Sequence, residues 1–583
     1  MRKTKIIITL GPAIKDLEIM KGLLQAGANL VRLNFSHGSH QEHLGRIEML
    51  REAAAELGLR IPIILDNKGP EIRIGKFKEG KISLNSGDIF TLTTRPVLGD
   101  QKIVQVEYDA LPQEVEIGST VLLDDGNMSM RVLEIVDETD IVCQVLNNGE
   151  LSDRKKVNLP GAKISIPALN PKDVEDIRFA VEHELDFIAA SFIRKAEDVL
   201  EIRKVIEEFG GRQKIIAKIE SQEGLDNLDE ILNVVDAMMV ARGDLGVEVE
   251  PEQVPMAQKE MIRKCNQKAI PVITATQMLD SMIRNPRPTR AEASDIANAI
   301  LDGTDAIMLS GETASGIYPV EAVETMARIA LYTEETWVRN KAHHRRIVPE
   351  VTLTDAISQA VCQSAETLQA DAIITATSTG TTARMVAKYR PLARIIAVTH
   401  DELIANQLCL LWGVNPLVSP HNQDTDTMVS ESVAAALEAD LISNGDLVLL
   451  TSGIRAGVPG STNMMQIITV GDILAEGTSV GKKSVFGRAV VALSPEEADL
   501  QMNQGDILIT KTLDSEFAQA VQKASGLITE EGGLTSPAVI YGLSLNIPVM
   551  VGVNNITSIL KTGQEITLDR YGRIYRGRVR KNN

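Results

Sequence analysis

Aromatic side chains are scarce in this chain, 3% of its 583 residues, and basic ones are outnumbered: 60 lysines and arginines face 79 acids, for a formal net charge of -19. Nucleic-acid binding relies on basic faces and stacking rings, so that role is excluded. Cysteine is rare too. Cys143, Cys265, Cys362 and Cys409 stand far apart with no CxxC spacing, which argues against a zinc site or a disulfide framework and for a reducing compartment. Long apolar runs are missing, none reaching the roughly 18 residues of a membrane span. In the opening "MRKTKIIITLGP" the run Ile6 to Leu10 is shorter than the roughly 7 to 15 apolar residues of a signal-peptide core. A soluble, cytoplasmic protein with no nucleic-acid or membrane partner is expected.

What the chain does hold is repetition. Its length suggests three or four domains at roughly 150 residues each. Eight short β-branched runs, "KTKIIITLGP", "NLVRLNFSH", "IPIILDNKG", "LDFIAASFIR", "KIIAKIES", "DAMMVARGD", "IPVITATQM" and "DAIMLSGET", are each followed by a helix-like segment. That alternation predicts a parallel sheet covered by helices, and eight units predict a closed (β/α)8 TIM barrel. Between the third and fourth runs the spacing breaks. The alternating patterns "KIVQVEY" and "STVLLDDGNMSMRVLEI" there predict an inserted all-β lid domain, at the barrel end where active sites sit. An α/β regulatory domain and a C-terminal swivelling-type domain complete the expected α/β architecture. The expected boundaries are 1–69 with 168–339 for the barrel, 70–167 for a β-barrel lid, 340–473 and 474–583, the last joined by the polar stretch "EGTSVGKKS".

Strand alternation sends residues two apart to one face. Arg32, Asn34 and Ser36 then face the barrel mouth, as do Lys218 and Glu220, while Val31, Leu33, Phe35, Ala217 and Ile219 pack outward. Asp66 and Lys68, Arg242 and Asp244, Thr274 and Thr276, and Ser310 and Glu312 are expected to extend this polar ring at the strand ends, where the architecture places catalysis. Glu220 and Asp244, on adjacent strands, offer hard oxygens to Mg2+ or Mn2+. No histidine cluster competes, His37, His40 and His43 lying after strand two and His183 standing apart. Arg32, Arg73 and Lys218 add fixed positive charge, which suits a phosphoryl or enolate intermediate.

The blocks "RLNFSHGSH", "LDNKGPEIRIG", "IIAKIESQEG", "ARGDLGVE", "ITATQMLDSMIRNPRPTRAEASDIANAILDGTDAIMLSGETA" and "AKYRP" occur in this order, and over residues 1 to about 473 the chain resembles the pyruvate kinases. The resemblance implies phosphoryl transfer from phosphoenolpyruvate to ADP. It gives Lys218 the role of stabilising the moving phosphoryl group and the enolate, Glu220 and Asp244 that of divalent-metal ligands, and Arg32 that of binding phosphate. Thr276 with the N–H groups of Gly243 and Asp244 matches a carboxylate pocket, and Asn34, Ser36, Asp66 and Asn67 match a K+ site. Position 67 is usually threonine in the family, and Glu71 resembles K+-dependent members. Arg73, Lys156 and His37, with Asn34 and Ser36, match nucleotide contacts. Arg73 and Ser310 join Lys218 and Thr276 as catalytic candidates, Ser310 in a proton relay through Thr276. Two rivals stand beside this reading, a metal-dependent pyruvate aldolase barrel and a non-catalytic phosphometabolite sensor.

Further along, "TATSTGTT" precedes a helix and so collects hydroxyls and free N–H groups at its start. It matches the family's effector site, with Thr377, Ser378, Thr379, Gly380, Thr381 and Thr382 gripping a phosphorylated effector and the loop "SGIRAGVPGST" closing over it. In "RNPRPTRAEAS" a capping box, Thr289 to Glu292, predicts a helix start; the family places this segment near a contact of its homotetramer. Residues 474–583 resemble the mobile phosphohistidine domain of enzymes that use phosphoenolpyruvate, with Pro537 of "EGGLTSPAV" standing where that family carries histidine. No histidine follows His421, so a retained fold without the carrier chemistry is expected.

Overall fold

The computed structural model describes residues 2–339, 352–420, 424–453, 462–471, 473–481, 483–577 and 579. These fall into two compact units, one of residues 1–356, 378–392 and 401–416, the other of 357–377, 393–400 and 417–583.

In the first unit eight parallel strands close on themselves: Lys5–Leu10, Leu30–Asn34, Ile63–Asp66, Phe187–Ala190, Lys214–Ile219, Ala237–Ala241, Val272–Ala275 and Ala306–Leu309, the last pairing with the first. All eight coincide with the β-branched runs of the sequence. Strand one shows why such runs suit a barrel, since both of its faces are covered. Ile7 points inward with Leu30, Ile64, Phe187 and Ile216, while Ile6 and Ile8 point outward to the helices, and all three isoleucines are fully buried. Burial of a side chain of this size stabilises the fold by about 1.5–3 kcal/mol.

Between strands three and four lies a seven-stranded sheet with a separate two-stranded ribbon. Its two end strands meet, Gly75 N–H donating to Gln105 O at 2.8 Å and Glu107 N–H to Arg73 O at 2.8 Å, so the sheet curls round to close. The core of this domain is apolar and its own, built on Phe90, Leu92, Val121 and Met130. The helices Thr381–Lys388 and Glu402–Leu408 also belong to this unit, where Arg390 pairs with Asp305 at 2.8 Å and Asn406 with Asp186 at 2.8 Å.

The second unit carries a five-stranded α/β sheet and an eight-stranded mixed sheet. The stretch expected to be a linker is not one. Within "EGTSVGKKS" and just before it, Ile473–Glu476 and Thr478–Val480 form the two edge strands of the eight-stranded sheet. Their polar residues sit at sheet edges, where one side of a strand stays in solvent, and that is why composition reads them as a loop.

The predicted capping box is present. Thr289 Oγ1 accepts from Glu292 N–H, Glu292 accepts from Thr289 N–H at 2.7 Å, and Glu292 also accepts from Ser281 N–H and hydroxyl. Thr289→Ala should lower barrel stability by about 1 kcal/mol, and Glu292→Ala by more, because it also frees Ser281. Chemical denaturation followed by circular dichroism checks the order of the two.

Candidate active site

The centre of the site is a buried charge. Lys218 faces into the barrel at its C-terminal mouth and is 8% exposed. Its Nζ donates to Ser191 Oγ at 2.7 Å and to Asp66 Oδ1 at 3.1 Å, and lies 3.1 Å from Glu220 Oε1. Burial alone would lower the ammonium's pKa, but Asp66 and Glu220 outweigh it and the net shift is upward. Asp66 is held below its ordinary range against its own burial by Arg32, whose Nε donates to Oδ2 at 2.5 Å, and by Lys218. Arg32 also donates to Thr9 Oγ1 at 3.2 Å.

Glu220 and Asp244 stand together, one shifted up and the other down. Burial, with Asp244 adding, pushes Glu220 up to about 7 against the pull of Lys218 and Lys156. Lys156 and Lys218 hold Asp244 low in spite of burial. Glu220 Oε2 accepts from Phe192 N–H at 2.8 Å, whereas Oε1 is buried and receives no hydrogen bond. Lys156 comes from the inserted domain, reaches Asp244 Oδ1 at 2.5 Å and lies over the Phe192 ring at 4.1 Å. It is the register partner of Arg73 on the two strands that lead out of and back into the barrel. Arg73 is held by Glu71 at 2.7 Å and by Arg154 O at 2.8 Å. A cavity of about 190 Å³ opens at this hinge, bordered by Ile72, Lys156, Asn158, Phe192 and Arg194.

Alternation does not explain every position. Thr274 faces the helices, not the mouth, and its hydroxyl bonds Thr304; the inward residues of strand seven are Ile273 and Ala275. Thr276 nevertheless turns back to the mouth, because the strand has ended and its φ is +73, a strained value for a β-branched residue. There it touches Gly243, where a Cβ would come within 2.8 Å of Thr276 Cγ2, so only glycine allows the approach. Arg242 and Asp244 do not end strand six but open the short helix Arg242–Glu248, which separates their directions. Arg242 instead clamps the Thr276 turn, donating to Ala275 O at 3.1 Å, Thr276 O at 2.7 Å and Asp295 at 2.7 Å.

Lys68 lies 3.8 Å from Glu71, away from Asp66. Ser310 sits between strand eight and a short helix, where Glu312 accepts its N–H at 2.7 Å. Asn34 Oδ1 accepts from Ser36 N–H at 3.1 Å, and His37 is exposed. Asn67 turns its amide to Ser191 N–H at 2.9 Å, and its carbonyl accepts from Ser191 Oγ at 2.9 Å. His183 does not stand apart, since it packs on Phe179 at 4.2 Å beside His40, His43 and Phe35. Among the described residues no three His, Cys, Asp or Glu side chains gather as metal ligands, no helix is long and apolar enough to cross a membrane, and all four cysteines are buried.

Ser191 and Phe192 were not singled out by sequence reasoning. Ser191 had a usable signal, a hydroxyl immediately after strand four in "AASFIR". In the second stretch of interest, Thr377 N–H bonds Val398 O at 2.9 Å. The hydroxyls of Thr379 and Thr381 pair at 3.0 Å, Thr382 is buried, and Gly380, at φ +83, caps the helix Thr381–Lys388, two residues after Ser378. Most of the closing loop, residues 454–461, lies outside the described residues.

A closed parallel barrel with convergent charge at the C-terminal mouth under an inserted domain defines an enzyme of the barrel class. Residues 1–323 match the pyruvate kinase barrel domain, 355–468 the pyruvate kinase alpha/beta domain, and 502–572 the mobile domain of PEP-utilising enzymes. The pyruvate kinase of Geobacillus stearothermophilus is 51% identical over 99% of both chains, and that of Bacillus licheniformis 49% identical over 99% of this chain and all of its own. A solved pyruvate kinase from Cryptosporidium parvum superposes with a TM-score of 0.75 at 43% identity, covering 80% of this chain and 96% of its own. The chain belongs to the pyruvate kinase family.

If Arg242 fixes the Thr276 turn, Arg242→Met should speed amide exchange at residues 276–278 by about tenfold or more, the worth of hydrogen bonds from a charged donor. Exchange in strands one to six should not change, which hydrogen-exchange mass spectrometry reads directly.

Proposed function

We propose that this chain transfers the phosphoryl group of phosphoenolpyruvate to ADP, giving pyruvate and ATP, the closing step of glycolysis. One observation carries the reading. The Lys218 ammonium is buried between Asp66 and Glu220, beside Asp244, in a chain about half identical over its whole length to pyruvate kinases.

Phosphoryl transfer asks a protein mainly for positioning and charge stabilisation. Lys218, its pKa raised, stays protonated across the neutral range and balances the migrating phosphoryl group and the enolate left behind. Arg32, fixed by Asp66 and Thr9, binds the phosphate. Thr276 and the N–H groups of Gly243 and Asp244 hold the carboxylate, and Ser310 serves the proton relay through Thr276 to the enolate carbon. Arg73 and Lys156, facing each other across the hinge, meet the nucleotide together with His37, Asn34 and Ser36. Lid closure over this mouth excludes water, the competing phosphoryl acceptor.

The residues fit the metals of the family. Glu220 Oε1 is buried without a hydrogen bond, and a cationic nitrogen already lies against Asp244, so this carboxyl pair suits Mg2+ or Mn2+, which needs few protein ligands. When bound, the divalent ion supplies further positive charge against the substrate oxygens. For K+, Asn34, Ser36, Asp66 and Asn67 offer oxygens; the Asn67 carbonyl keeps a second lone pair after accepting from Ser191.

The proposal extends to a cytoplasmic homotetramer, to the four domains bounded as the sequence suggests, and to a phosphorylated effector held by Thr377, Ser378, Thr379, Gly380, Thr381 and Thr382. A coupled assay with phosphoenolpyruvate, ADP, Mg2+ and K+ tests the activity, and only a kinase makes pyruvate in proportion to ADP, which separates it from an aldolase or a sensor. In that assay Lys218→Met should cut turnover by about 10³-fold while phosphoenolpyruvate and metal binding stay measurable by calorimetry; near-normal turnover overturns the assignment. Thr379→Glu should abolish activation by sugar phosphates or nucleoside monophosphates and leave basal turnover intact, and retained activation would remove the effector site from that loop.

A further inference from the structure

The loop "EGGLTSPAV" has no part in the chemistry above, yet it carries unmet hydrogen-bonding capacity. Thr529 ends the strand Gly526–Thr529, is 1% exposed, and its Oγ1 has no partner. Ser536 holds the N-cap position of the helix Pro537–Leu545, where a serine normally accepts from an N–H two or three residues on. It makes no such bond, and its Oγ is likewise buried and unpartnered. The two hydroxyls border one spot. A Cβ built on Gly532, at φ +117, would lie 3.3 Å from Ser536 Oγ and 3.9 Å from Thr529 Oγ1, and glycine leaves that space open.

Buried hydroxyls are rarely left without partners, and two converging on the same gap mark a place for a ligand. Its sign follows from the surroundings. The first turn of a helix presents its positive end, and the Ala538 N–H there finds no backbone acceptor. The neighbouring Glu530 carboxylate is engaged by the N–H and hydroxyl of Thr557, at 2.9 and 2.5 Å, and Glu531 is exposed. Donors converge here.

We propose that Thr529, Gly532, Ser536 and the first turn of the helix Pro537–Leu545 form a non-covalent site for a phosphate group, carried by inorganic phosphate or by a phosphomonoester. No bond is made or broken in it. Pro537 has no nucleophile to offer, and no histidine occurs after His421. The site stands independently of the catalytic reading.

Hydrogen-exchange mass spectrometry of the full chain, in inorganic phosphate against sodium chloride at matched ionic strength, tests it by position. Exchange across residues 532–541 should slow by a factor that grows with phosphate concentration. In Thr529→Val and Ser536→Ala the half-saturating phosphate concentration should rise about tenfold each, the usual loss of a hydrogen bond to a charged group. A parallel arm with phenyl phosphate separates the sources: protection there extends the site to esters, and protection by inorganic phosphate alone confines it to the free ion, both in support. Absence of protection at 532–541 at concentrations that protect the barrel mouth overturns the proposal, as does protection that survives both substitutions. Exchange in the strand Ile507–Thr510 reports folding; should Thr529→Val disturb it, Ser536→Ala, at a half-buried position, decides alone.

Discussion

Lys218 brings a full charge to the mouth of a barrel whose interior below it is apolar, and such a charge is tolerated only when paired and hydrogen-bonded. That demand organises the mouth. Asp66 from strand three, Ser191 after strand four and Glu220 after strand five must all reach one nitrogen, and Arg32 from strand two then compensates Asp66. Three successive strand ends meet at a single ammonium group, and a fourth joins them through the Arg32–Asp66 pair. The charges of the cluster are paired with one another in advance of any substrate, as electrostatic preorganisation requires.

The inserted domain is tied to this cluster through the same kind of interaction. Its hinge strands pair Arg73 with Lys156, residues far apart in sequence, and Lys156 then crosses to Asp244 while lying over Phe192. Phe192 in turn gives its N–H to Glu220. The inserted domain thus places a cation at the carboxyl pair. Position of the lid and charge at the site are linked through three residues.

The C-terminal sheet lies in the region that matches the mobile domain of PEP-utilising enzymes. In its loop, proline fills the first position of the helix Pro537–Leu545, where its missing N–H costs nothing and its fixed φ favours the helix start. Close to it, the Thr529 and Ser536 hydroxyls are buried without partners.

The barrel was legible in the sequence because β-branched runs of period two have one stable use when both faces are covered, and Arg32, Asp66, Lys218 and Glu220 followed by counting along the strands. Their roles, and those of the effector loop, came from motif resemblance. Counting failed where a strand stopped. The left-handed turn at Thr276, the helix that divides Arg242 from Asp244 and the inward hydroxyl of Ser191 depend on backbone direction after the last ladder hydrogen bond, which periodicity does not encode. Edge strands drawn from "EGTSVGKKS" escaped for a related reason, since their partners, Val549–Val551 and Arg573–Arg576, lie more than 60 residues away. Local pattern decided which segments became strands; which side chains meet beyond the strand ends was decided by long-range packing, where the contacts are non-local and the chain alone carries no record of them.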